Sequence, residues 1–78
     1  MDGSAMKRRL LAMRMAQVKK DTFPSVEMMN RIEAGLQTKE ELEAYAEILM
    51  NKIESTQWPS LAMVNRFERV LERAGAAS

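Results

Sequence analysis

Two prolines, Pro24 and Pro59, do most to limit what this chain can become. Proline lacks a backbone N–H and pushes the residue before it out of helical geometry, so breaks are expected at Phe23 and Trp58. Gly35 supplies a third stop, read as the left-handed end of a helix. Soon after it, Thr38-Lys39-Glu40-Glu41 matches a capping box: the threonine hydroxyl accepts from the third helical amide and Glu41 reaches back. Between these breaks the apolar residues recur at helical spacing. The pattern predicts an all-α fold, a small bundle of four short helices over about 4–20, 25–34, 38–54 and 59–74, in a single helical domain over 1–78. Frayed tails are expected at 1–5 and 75–78, and the sequence reads as having neither a strand nor an internal repeat.

Each helix then offers a core stripe. In the second it is Val26, Met29, Ile32 and Leu36, with Met28 beside them. The third presents Leu42, Tyr45, Ala46, Leu49 and Ile53, and keeps Glu40, Glu43 and Glu47 on the far side. The fourth presents Met63, Val64, Phe67, Val70, Leu71 and Ala74, with Trp58 expected to plug the end of the core. The first helix, with Ser4 as its expected N-cap, is less ordinary. A step of 100° per residue puts Met6, Leu10 and Met13 on one stripe and Leu11, Met15 and Val18 on another. One stripe can face the core, and the other then needs a different partner. Gln17 continues the line of Met6, Leu10 and Met13, so that stripe turns polar in its last turn.

Composition narrows the chemistry. The chain has 78 residues, no cysteine and no histidine. A single core of this size yields only about 3–5 kcal/mol, so small domains are often stapled by disulfides, metals or oligomerisation. Disulfides and the usual zinc, haem and iron–sulfur ligands are missing, which leaves self-association or a bound partner. Without His or Cys the common acid–base and nucleophilic arrangements are also missing. The three glycines are isolated, so no phosphate-binding loop is present. An enzyme is not expected, and neither is a cofactor.

The net charge of +1 is unevenly spread: residues 1–25 carry +4, 26–54 carry −4 and 55–78 carry +1. No apolar run approaches the roughly 18–20 residues of a membrane span, and the N-terminus lacks the apolar run of a secretory signal. Its Arg-rich, acid-poor start has the composition of a transit peptide, but removing it would leave too little to fold. A soluble, cytoplasmic protein is expected.

Two binding classes remain. A helix-turn-helix over the second and third helices would lead with Lys39, Glu40, Glu41 and Glu43, setting carboxylates against phosphates. One over the third and fourth helices offers Asn65, Arg66, Arg69 and Arg73, although Glu68 and Glu72 alternate with the arginines as surface pairs would. The basic first helix is a further route to nucleic acid, with its cations dispersed rather than aligned. The preferred expectation is protein binding by a small regulator, adaptor or inhibitor. Its docking face is expected to be Leu11, Met15 and Val18, rimmed by Lys7, Arg8 and Arg14. An acidic or apolar partner surface suits such a face, and the acidic third helix of a second copy is one, giving an antiparallel homodimer.

Overall fold

Serine and threonine side chains set where three of the helices begin. The structure, a computed structural model, describes residues 3–77. It contains α1 (Gly3–Lys20), α2 (Val26–Gly35), α3 (Lys39–Glu54) and α4 (Leu61–Ala76), with no strand among the described residues. The all-α fold class expected from the sequence is the one observed. The Ser25 hydroxyl accepts from the Met28 amide at 3.1 Å and the Ser60 hydroxyl from the Met63 amide at 3.1 Å. Thr38 accepts from the Glu41 amide while Glu41 Oε1 accepts from the Thr38 amide, completing the capping box. Each cap satisfies an amide that has no partner inside its helix, a contribution of about 1 kcal/mol.

The chain divides into two units, the first ending at Leu36 and the second starting at Gln37. Each is a helical hairpin: α1 packs with α2, and α3 packs with α4. Leu11, Val18, Met29, Ile32 and Leu36 are the buried apolar residues of the first hairpin. In the second they are Leu42, Tyr45, Ala46, Leu49, Val70 and Ala74. Full burial of a side chain such as Ile32 or Leu49 is worth roughly 1.5–3 kcal/mol, so a handful of these residues carries each hairpin.

Several expectations are corrected. Ser4 lies inside α1 rather than capping it, and residues 3–5 and 75–76 are helical rather than frayed; Met1, Asp2 and Ser78 lie outside the described residues. Helix four starts at Leu61 after its serine cap, not at Pro59. Trp58 does not plug the core: it is 83% exposed. Val26 and Leu71 were expected inside and are also exposed. Gly35 does not take a left-handed conformation, since no described glycine has positive φ, and α4 continues through Gly75 to Ala76. Gly35 is the last residue of α2, and its C-cap is Leu36 in extended geometry.

An internal repeat, missed in the sequence, becomes visible once the two hairpins are set side by side. Residues 23–36 read FPSVEMMNRIEAGL, and residues 58–71 read WPSLAMVNRFERVL. Pro, Ser, Met, Asn, Arg, Glu and Leu recur at matching positions, and an aromatic residue precedes the proline in both. The physical content is a loop that ends in Pro-Ser, with the serine capping the helix that returns along the hairpin. Helical-hairpin repeats of about this period bury their apolar faces by stacking on neighbours.

The geometry at Gly35 gives a test. An added Cβ would meet Leu11 Cδ1 at 3.6 Å, an ordinary van der Waals distance, in backbone that alanine adopts freely. Gly35→Ala is expected to raise stability by about 0.5 kcal/mol, chiefly by restricting the unfolded chain. Denaturant unfolding checks the sign, and a loss of stability would return Gly35 to the left-handed role.

Candidate protein-docking face

The first hairpin decides which stripe of α1 faces inward. Leu11 is 6% exposed and Val18 is fully buried, with Met15 half-buried between them. The face expected to dock on a partner is therefore the hairpin's own core. Leu11 and Val18 offer nothing to a partner unless the hairpin opens. Arg8 is corrected too. Its Nη2 donates to the Gly35 carbonyl oxygen at 2.7 Å, a partly buried bond that places a cation on the C-terminal end of α2. Carbonyls there carry partial negative charge and lack helical partners, so Arg8 acts as a cap between helices.

The stripe left outside is Met6, Leu10 and Met13, exposed to 47%, 45% and 68%. Together with Lys7 and Arg9 these residues line a shallow open depression along α1. At 100° per residue Arg9 and Lys20 flank the strip on one side, and Lys7 and Arg14 flank it on the other. Residues 3–20 include no carboxylate. Among the described residues no ion pair neutralises Lys7, Arg9, Arg14 or Lys20. The result is an apolar strip two helical turns long between two unneutralised cationic edges. Lys7 and Arg14 keep the rim position expected of them, around a different stripe.

In the sequence either stripe of α1 can face the core, with Leu11, Met15 and Val18 preferred as the outer one and Gln17 standing against that preference. The signal that decides it is Gln17, which extends the line of Met6, Leu10 and Met13 and is exposed. Its Nε2 donates to Asp21 Oδ1 at 3.0 Å on the surface. A stripe that ends in a solvated amide is the outer one.

Elsewhere the expected groups scatter. Asn65, Arg69 and Arg73 are exposed on α4, but Arg66 is only 8% exposed. No buried side-chain nitrogen or oxygen among the described residues lacks a hydrogen-bond partner, so this burial is a satisfied one. Arg66 is therefore removed from any phosphate-gripping row. The surface pairs expected of Glu68 and Glu72 are not made among the described residues. On α3 the exposed residues are Lys39, Glu40, Glu43, Ala44, Glu47, Asn51 and Glu54, a hydrophilic face without a large apolar side chain. No group of three or more Asp or Glu that could hold a metal ion occurs among the described residues, and no helix there is long and apolar enough to cross a membrane.

Compared with known proteins, the chain matches no family model, no curated protein and no solved structure. The reading of the site therefore rests on the residues themselves.

The reversed stripes have a direct consequence. An aspartate at Leu11 or Val18 buries an unpaired charge at a cost of several kcal/mol, comparable with the whole stability of so small a fold. Leu11→Asp and Val18→Asp are expected to lose at least the helical circular dichroism of the first hairpin. Leu10→Asp and Met13→Asp are expected to keep it. Equal loss in all four variants would contradict the assignment of faces.

Proposed function

We propose that this protein is a non-enzymatic protein-binding module, a small regulator, adaptor or inhibitor that docks through the outer strip of α1. The observation that carries the reading is the juxtaposition of Met6, Leu10 and Met13 with unneutralised Lys7, Arg9, Arg14 and Lys20. Apolar side chains supply the desolvation that drives association, and methionine adapts its shape to a partner at low cost. The cationic edges favour a partner that is acidic around an apolar centre, and speed its approach. A cytoplasmic setting suits a chain without cysteine.

Nucleic acid is the competing partner for the same cations. The burial of Arg66 weakens the α4 route, and dispersed cations around an apolar strip suit a protein surface better than a phosphate track. Phosphate binding does not use the apolar strip, which separates the two readings.

The test compares wild type with Leu10→Asp and Met13→Asp, immobilised and exposed to extract from the native host. Proteins held by the wild type at moderate salt are expected to be lost with either variant. Retention of the same proteins by both variants would sink the docking reading. Tight binding of duplex DNA or RNA that falls steeply with salt, with Leu10→Asp behaving as wild type, would favour nucleic acid instead.

A further inference from the structure

The internal repeat assigns a role to a second surface. In α2 the residues Val26, Met29 and Glu33 follow one line along the helix toward the C-cap Leu36, with Ile32 beside it. Met29, Ile32 and Leu36 are buried in the first hairpin, where α1 contributes Leu11, Met15 and Val18, with Arg8 at the end of α2. The matching line of α4 is Leu61, Val64, Glu68 and Leu71, with Phe67 beside it. It has a similar chemical make-up, and its first residue is exposed as Val26 is, but beyond that residue its fate differs. Leu61 is 74% exposed and Leu71 50%, while Val64 and Phe67 are half-buried. The buried residues of α4 are instead Arg66, Val70 and Ala74.

We infer that this line of α4 is the counter-surface for the outer strip of α1 on a second copy of the chain. The inference rests on the docking reading above and names its partner. Three observations commit it to that occupant. The α2 line shows what such a row packs against: a helix bearing an aliphatic and methionine stripe with an arginine nearby. The outer strip of α1 is a second stripe of that composition, Met6, Leu10 and Met13, with Arg9 and Arg14 on its edges. The charges also match, because α1 carries cations without a carboxylate, and Glu68 and Glu72 on the α4 side have no ion-pair partner among the described residues.

The strip is also short enough to lie within the α4 line. At a rise of about 1.5 Å per residue, the strip from Met6 to Met13 spans about 10 Å and the line from Leu61 to Leu71 about 15 Å. α3, the surface expected from charge alone, fits less well. Its outward face has carboxylates to attract α1 but no large apolar side chain to bury against it. Attraction between exposed charges alone yields little net affinity.

Complementation tests the pairing. Sedimentation of the full chain is measured over a range up to high micromolar for wild type, Leu10→Asp, Leu71→Asp and an equimolar mixture of the two variants. Circular dichroism confirms that both variants remain helical. Wild type is expected to associate, and each variant alone to stay monomeric, because every α1–α4 contact then contains one damaged face. The mixture is expected to associate, since α1 of the Leu71→Asp chain meets α4 of the Leu10→Asp chain with both faces intact. Association of Leu71→Asp alone would mean that α1 pairs with α1 or another surface, and would overturn the inference. Association of Leu10→Asp alone would overturn it in favour of α4 with α4. A monomeric wild type also overturns it. If that monomer still captures host proteins that Leu10→Asp loses, the docking reading survives and only the identity of the partner falls.

Discussion

A helix in a two-helix hairpin has one neighbour, and one neighbour covers one stripe. That constraint shapes the molecule more than any single bond in it. α1 meets α2 with Leu11, Met15 and Val18, and its other apolar residues have nowhere to go within the hairpin. α4 packs with α3 and buries Val70 and Ala74, while Leu61 and Leu71 stay outside. α3 shows a different arrangement: Ile48 and Met50 are half-buried beside its stripe, and its exposed face holds no large apolar side chain. Surplus apolar surface is therefore confined to particular helices and is not a general property of the composition.

The positions of helices were legible because local chemistry sets them. Pro24 and Pro59 break the chain, Thr38 and Glu41 cap α3 reciprocally, and the stripe of α3 reads directly as its buried face. Which face of α1 or α4 turns inward was not legible in the same way. Both helices carry apolar residues around more than one side, so periodicity alone allows several rotations about the helix axis. In α1 the choice between stripes falls to packing against α2 and to the bond from Arg8 to the Gly35 carbonyl. In α4 the loss of an acidic partner is part of the difference. Arg31 pairs with Glu27 at 2.9 Å on the surface of α2, whereas the residue matching Glu27 is Ala62, and Arg66 is buried.

The glycines and aromatics taught a related lesson. Gly35 and Gly75 sit near helix ends, where a left-handed stop is common, yet both are helical and the termini close in extended backbone. Trp58 and Phe23 look like core residues by type. Each precedes a proline in the loop between helices, and each is exposed close to a serine cap. Type suggested burial, and backbone direction denied it.

The short loops after Lys20 and Glu54 carry a kinetic meaning. Contacts within each hairpin join residues close in sequence, so closing them costs little chain entropy, and folds dominated by such contacts form in about microseconds to milliseconds. Any larger state of this protein is then reached by collision between hairpins already formed. Its rate of appearance would follow concentration rather than the internal dynamics of the chain.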